Sequence, residues 1–217
     1  MTKEFAFNHD SIVQLEVARI IDVFRIKHVI ETGTCYGNST SFFASCGCNT
    51  HTIEIDENNY NVSVQNLKEF ENVHCYFGDS KNILPSILKS LPNELTLFYL
   101  DAHWEYEWPL LSEIEIISKF RHNNAIIIID DFVVPNRNLQ YDTYHGKQND
   151  LDMSFEALRK VFDDFVYYYN DNANYKGTLF MKNCYGVGKI YVFPSRLALQ
   201  NNIEFYKTID GNNYSNL

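Results

Sequence analysis

Short apolar runs punctuate the first part of the chain, and each ends on or beside a carboxylate. They are His28-Val29-Ile30-Glu31, Thr52-Ile53-Glu54, Val73 to Phe77 followed by Gly78-Asp79, Leu97-Phe98-Tyr99-Leu100-Asp101, and Ile126 to Ile129 followed by Asp130-Asp131. Runs of this length read as buried strands. The stretches between them are long enough for one crossover helix each. Tyr60, Val64 and Leu67 give the spine of one over 58–70, and further helices are predicted from Asn38 or Ser39 to Cys46, over Ile83–Leu91 and over Pro109–Phe120. The proline of the last sits near the first turn, where its missing N–H costs little. A helix over 10–26 precedes them, capped by Asp10 or Ser11 and striped by Ile12, Leu15, Val17, Ile20, Ile21 and Phe24. Strands joined by crossover helices lie parallel, so the acidic ends emerge on one sheet edge. That edge is where open α/β sheets bind ligands. Clustered carboxylates there repel one another unless a cation, or a set of hydroxyl and amine donors, sits among them. The pattern therefore predicts an α/β enzyme with a polar, cation-bearing site.

After the fifth strand the pattern changes. Residues 135–152 are polar and read as a long loop of the kind that forms lids or binding loops. Ser154–Phe162 is predicted helical, and Phe165–Tyr169, Thr178–Lys182 and Lys189–Phe193 read as strands. Gly186-Val187-Gly188 suits a turn between the last two, so an antiparallel hairpin is expected to close the sheet. The tail from Asn201 is polar and expected to be loosely held. The chain reads as one domain: a helical segment over 1–27, a ligand-binding core over 28–135, and a loop, helix and closing strands over 136–200.

Composition narrows the function classes. The 217 residues are enough to bury a full core, and the formal net charge of −10 argues against nucleic acid as a partner. No apolar stretch is long enough to span a membrane, and Met1-Thr2-Lys3-Glu4-Phe5 lacks the apolar run of a signal peptide, so a cytoplasmic location is expected. The cysteine count of 5 is odd, and Cys46 and Cys48 are too close for the usual zinc spacing. They read as small residues in a turn.

The first strand and its turn give Glu31-Thr32-Gly33-Thr34-Cys35-Tyr36-Gly37, an E-x-G-x-x-x-G pattern rather than G-x-G-x-x-G. A carboxylate before the first glycine would repel a phosphate and attract a ligand ammonium. Taken singly, the motif is equally a glycine-bearing strand-to-helix turn. Glu54 ends the second strand, about 20 residues after the first glycine, where an acidic side chain holds ribose hydroxyls. Asp56 competes for that role. In Gly78-Asp79-Ser80, Asp79 can accept from an adenine amine and Ser80 can donate to a ring nitrogen. Asp79 can also cap the following helix. An ammonium-bearing tail, a ribose and an adenine together describe S-adenosylmethionine.

These pieces, with Leu100-Asp101-Ala102-His103-Trp104 and Ile129-Asp130-Asp131, resemble the class I S-adenosylmethionine-dependent methyltransferases over about residues 28–135. More narrowly, they are similar to the metal-dependent O-methyltransferases of the catechol and macrolide-sugar (macrocin) types. The resemblance implies a Rossmann-like, doubly wound, mostly parallel sheet with helices on both faces. It implies S-adenosylmethionine held by Glu31, Gly33, Tyr36, Gly37, Ser39, Glu54, Asp79, Ser80 and Asp101. It also implies Mg2+ or another divalent cation on Asp101, Asp130 and Asp131, with Asp101 and His103 catalytic. Three carboxylates are hard oxygen ligands of the kind magnesium takes. The catechol type has a lysine base just beyond its tryptophan, where this chain has Glu105, with one extra residue between aspartate and tryptophan. His103 is therefore the expected general base, since its ordinary pKa is near neutral. Its plainer role would be support of the metal site from outside. Tyr36, Trp104, Tyr106 and Trp108 would wall the cofactor and substrate, although isolated aromatics are more often packing residues, and His145 would reach the site on loop closure.

The expected acceptor is a small hydroxylated molecule, a sugar or glycosylated natural product rather than a catechol. The competing readings are a metal-independent methyltransferase using His103 and a non-catalytic binding protein of the same fold. A nucleotide-dependent oxidoreductase is disfavoured by the glycine spacing and by Glu31. The N-terminal helix and the closing hairpin are the surfaces that would support a homodimer.

Overall fold

A computed structural model of the chain describes residues 3–103, 108–134, 139, 141, 143–144, 147–148, 156–170, 187–198 and 206–208. A 3-10 segment, Lys3–His9, leads into α1 (Ser11–Phe24). Then follow β1 (His28–Thr32), α2 (Asn38–Ser45), β2 (Asn49–Glu54), α3 (Glu57–Leu67), β3 (Val73–Phe77), α4 (Ser80–Ser90), β4 (Thr96–Leu100), α5 (Leu110–Arg121) and β5 (Ala125–Ile129). The later elements are β6 (Thr143–Tyr144), β7 (Lys147–Gln148), α6 (Glu156–Val161), β8 (Phe165–Asn170), β9 (Ile190–Pro194), α7 (Ser195–Ala198) and β10 (Tyr206–Thr208).

Among the described residues, eight strands form one sheet in the order β10-β8-β9-β5-β4-β1-β2-β3. β1 to β5 run parallel. β9 pairs antiparallel with both β5 and β8, and β10 pairs antiparallel with β8. The alternation of side chains along the strands divides the interior into two cores. Ile30, Phe98, Leu100, Ile127, Ile129 and Val192 pack on one face with Leu84 and Leu88 of α4 and Ile114 and Ile117 of α5. Val29, Leu97, Tyr99, Ile126, Ile128 and Tyr191 pack on the other with Val13, Val17 and Ile20 of α1 and Phe42 and Phe43 of α2. A strand buried on both faces has no polar positions to alternate, which is why β5 reads as an unbroken apolar run.

The strands and helices expected through β5 are present, with shifted ends. Asp10, Asp56 and Asp79 cap α1, α3 and α4 by accepting from backbone N–H groups of the first turn. The Asp79 cap starts α4 at Ser80, three positions before the apolar spacing begins. The closing antiparallel pair is β8 with β9. The strand expected at Thr178–Lys182 lies outside the described residues. β10 was not expected: Tyr206–Thr208 extends the sheet from within the polar tail, because backbone pairing to the open edge of β8 needs no apolar pattern. Among the described residues no helix is long and apolar enough to cross a membrane.

Two close approaches position the site. A Cβ on Gly33 would lie 2.5 Å from the Asp101 carbonyl oxygen, so only glycine lets the β1 turn pass over the end of β4. A Cβ on Gly188 would lie 2.0 Å from the Phe132 carbonyl oxygen. The start of β9 is thus stitched to the chain leaving β5, with Phe132 N–H donating to the Gly188 carbonyl at 2.8 Å.

The 3-10 segment was not foreseen either. Phe7, Asn8 and His9 are consecutive residues in the left-handed region, at φ 53°, 56° and 63°. Asparagine tolerates that conformation, but Phe and His pay roughly 1–2 kcal/mol each. The Phe7 ring offsets this. It is 3% exposed and makes edge contacts with Phe42, Phe43 and Tyr99 at centroid distances of 5.2, 5.6 and 5.2 Å. Burying a phenylalanine contributes about 1.5–3 kcal/mol, of the same size as the strain.

Candidate functional site

A cavity of about 750 Å³ opens along the C-terminal ends of β1, β2, β3 and β4. Its size is that of a small-molecule site. It lies at the switch point of the sheet, where the crossover from β1 turns one way to β2 and the chain later returns to β4 on the other side.

One end of the cavity is built on β2 and β3. Glu54 is 6% exposed and lines it. Its Oε2 accepts from Cys35 N–H at 2.7 Å and its Oε1 from Asp56 N–H at 2.9 Å. Each oxygen keeps a second lone pair for a ligand hydroxyl. Asp79 lines the same end, with one oxygen on Lys81 N–H at 3.0 Å and the other 3.2 Å from Lys81 Nζ. Ser80 also lines it, but its hydroxyl donates to buried Glu113 at 2.5 Å. Burial pushes the Glu113 carboxyl up to about 7, against the hydrogen bond from Ser80.

The other end is acidic and built on β4 and β5. Ligand atoms of Asp101, His103 and Asp131 all lie within 4.8 Å of one another. His103 Nδ1 stands 3.4 Å from Asp131 Oδ2. Burial, and then the charges of Asp130 and Asp131, hold the Asp101 carboxyl well above the usual carboxylate range. The two carboxylates are hard oxygen donors that fit a small divalent cation, and the imidazole stands beside them.

Asp130 faces the other way. It is buried, and it accepts from Lys189 Nζ and from the Tyr99 hydroxyl. Its Oδ1 also accepts from Asp131 N–H at 2.9 Å, which braces Asp131 in a left-handed corner at φ 54°. Burial alone would lower the Lys189 pKa, but Asp130, Asp101 and Asp131 outweigh it and the net shift is upward. The ammonium is therefore charged and supplies the described part of the site with a fixed countercharge. The structure thus groups Asp101, Asp131 and His103, while Asp130 belongs to an ion pair with Lys189.

The expected cofactor residues divide likewise. Gly33, Glu54, Asp79, Ser80 and Asp101 line the cavity. Glu31 is 1% exposed and lies beneath it, accepting from the Thr40 hydroxyl and from Thr52 Oγ1 at 2.7 Å. Burial pushes its carboxyl up to about 7. Tyr36 is 52% exposed and stands outside the lining. Gly37 takes the cap position of α2, and Ser39 Oγ accepts a long contact from Phe7 N–H at 3.5 Å. Asp56, the competing residue, caps α3 and is not in the described lining, which Glu54 reaches. Trp108 packs against the α4–α5 core. Trp104, Glu105, Tyr106 and His145 lie outside the described residues.

Three participants were missed in the sequence. In the sequence Lys189 marks only the start of a strand, Tyr99 only an apolar position, and Asn8 carries no signal. Asn8 lines the cavity, on a segment that Phe7 packs against Phe42 of α2 and Tyr99 of β4. A lysine at the end of a Gly-x-Gly turn was the one signal available for Lys189. A second group, His122, Asp163 and Asp164, comes together at the opposite edge of the sheet, where His122 Nε2 and Asp164 Oδ1 are 3.0 Å apart.

No protein-family model matches the chain. None of the curated proteins matches it. Solved structures do. The O-methyltransferase TomG from Streptomyces achromogenes, involved in tomaymycin synthesis and solved with SAM, superposes with a TM-score of 0.58 at 15% identity, covering 84% of this chain and 80% of its own. An O-methyltransferase from Bacillus cereus, in complex with SAH, gives a TM-score of 0.58 at 16% identity over 84% and 81%. A precorrin-6y C5,15-methyltransferase from Geobacter metallireducens gives 0.55 at 11% identity over 83% and 88%. The fold is therefore the Rossmann-like methyltransferase fold. The three proteins do not share one methyl acceptor, so the fold leaves the reaction to be argued from the site.

Proposed function

We propose that the chain transfers the methyl group of S-adenosylmethionine to a hydroxyl of a small molecule, assisted by a divalent cation. The observation that carries this is one cavity with Glu54 and Asp79 at one end and Asp101, His103 and Asp131 at the other. The first pair suits a ribose and an adenine amine. The second set suits a cation and a hydroxyl that must lose a proton. Relatives in fold that were solved with SAM or SAH support the cofactor.

Glu54 accepts from the ribose hydroxyls, and its two backbone donors fix it before the ligand arrives. That rigidity lowers the ordering cost of binding. Asp79 accepts from the adenine amine. Asp101 and Asp131 would hold the cation, which would supply Lewis-acid polarisation of the acceptor hydroxyl. His103 is the general base. Its Nδ1 side faces Asp131, which orients the ring and leaves Nε2 for the acceptor proton. The methyl group then moves in line from sulfur to oxygen, with the chain contributing alignment rather than covalent chemistry. The acceptor belongs to the sugar type, in keeping with histidine rather than lysine as base.

Calorimetric titration of S-adenosylhomocysteine and, separately, Mn2+ tests the reading on wild type and Asp131→Asn. Both ligands are expected to bind wild type, with Mn2+ lost and the cofactor product retained in the variant. Absence of S-adenosylhomocysteine binding to wild type would sink it. The His103–Asp131 pair also favours a second reading, in which the imidazole deprotonates the acceptor unaided. Methyl transfer that survives exhaustive chelation would decide for that reading.

A further inference from the structure

The methyl-transfer reading, on which the inference rests, brings in a ligand that ends in an amino acid. The carboxylate of that amino acid is the group this cavity suits least. With ribose on Glu54 and adenine beside Asp79, the nucleoside lies over β2 and β3. The tail then extends over β1 and β4. There it meets Asp101 and Asp131 in the lining and Glu31 beneath it. All three suit the ammonium of the tail and oppose its carboxylate.

The described lining contains no lysine or arginine. The N–H groups of Gly33 and Thr34 are taken by the Ile53 carbonyl, and that of Cys35 by Glu54. His103 faces Asp131, and Asn59 stands on α3 at the nucleoside end. One uncommitted side-chain donor on the tail side is the amide of Asn8. Its place is fixed by Phe7, whose ring sits 5.2 Å from both Phe42 of α2 and Tyr99 of β4. Asn8 is the middle residue of the left-handed run from Phe7 to His9, and it is the one whose type tolerates that conformation.

We propose that Asn8 is a cofactor-binding residue whose side-chain amide donates to the carboxylate of the amino-acid tail. The Lys3–His9 segment is accordingly a wall of the cofactor site, and its strain holds a neutral donor where a cation would pair with Asp101 and Asp131 instead.

The test compares two ligands. S-adenosylhomocysteine has the tail, and 5′-methylthioadenosine keeps the adenosine and sulfur without it. Asn8→Gly removes the amide and keeps the left-handed backbone accessible, while Asn8→Asp keeps the shape and replaces the donor with a charge. Calorimetry is expected to show S-adenosylhomocysteine weakened about tenfold by Asn8→Gly and further by Asn8→Asp. Binding of 5′-methylthioadenosine is expected to stay within about twofold. Equal losses for both ligands would mean that Asn8 serves only the folding of its segment, and no loss for either would mean that it touches neither; each overturns the proposal. If wild type binds 5′-methylthioadenosine as tightly as S-adenosylhomocysteine, the tail has no partner and the proposal falls alone. If wild type binds neither, the methyltransferase reading falls first and takes it along.

Discussion

The two ends of the cavity solve the problem of burying carboxylates in opposite ways. At the β2–β3 end, Glu54 and Asp79 are met by backbone N–H groups from neighbouring turns. Those donors are local and come with the fold. At the β4–β5 end, Asp101, Asp130 and Asp131 crowd together, and the described countercharge is a lysine 59 residues from Asp130 in sequence. The first end meets its carboxylates with backbone donors. Among the described residues the second sets one ammonium, that of Lys189, against its three aspartates. Under the proposed function, local capping suits a rigid site for a nucleoside, and long-range charge compensation suits a site for a cation.

The largest expected effect comes from removing that distant countercharge. Lys189→Met leaves Asp130 buried without its partner and is expected to destabilise the fold by about 3–5 kcal/mol in chemical denaturation. Lys189→Met combined with Asp130→Leu should recover most of the loss. Recovery failing to appear would mean that the pair acts through shape rather than charge.

Glu113 gives the quieter end a charge problem of its own, and its sign can be worked out. The carboxyl is raised from 4.5 to about 7 in the fold, so its contribution is fully present below pH 4.5 and is lost as pH rises through 7. Glu113→Gln keeps an acceptor for Ser80. It is expected to gain up to about 3 kcal/mol at pH 8 and nothing at pH 4, read as a melting shift that grows between pH 4.5 and 7 and is flat above.

Asp131→Ala should cut Mn2+ affinity by more than about 100-fold while S-adenosylhomocysteine binding stays within about twofold. Glu54→Gln should do the converse more mildly, weakening the nucleoside ligand about tenfold and leaving Mn2+ untouched. In the double variant the two losses should add, because the sites share no partner. Coupling between them would break the separation of the two ends.

The same contrast explains what could be read from the sequence. The acidic strand ends, the cavity edge and the roles open to Glu54 and Asp79 follow from local patterns: an apolar run, a carboxylate, a turn, a helix. Which of two adjacent aspartates turns inward does not, because Asp130 and Asp131 are chemically equivalent until Lys189 arrives from the start of β9. Glu31 looked available to a ligand because a strand-end carboxylate is usually exposed. Thr40 and Thr52 draw it under the floor, and a threonine on a neighbouring element carries no marker of that role. Asn8 was illegible for a related reason. A left-handed run normally announces itself through glycine, and here packing of Phe7 imposes it on residues that do not favour it. β10 escaped notice because backbone pairing to an edge asks little of side chains.

The order of the strands also bears on how the molecule is assembled. β9 lies between β5 and β8, so β8, made earlier on the ribosome, has no seat on the sheet until β9 joins it. The parallel strands can collapse around their own helices beforehand, since domains gather their local units first and the contacts most distant in sequence last. Lys189 stands at the threshold of β9. In a nascent chain that has reached only β8, Asp130 has no ammonium from Lys189 beside it, and the acidic end gains that countercharge when β9 docks. One strand, β9, thus both seats β8 on the sheet and brings Lys189 to Asp130.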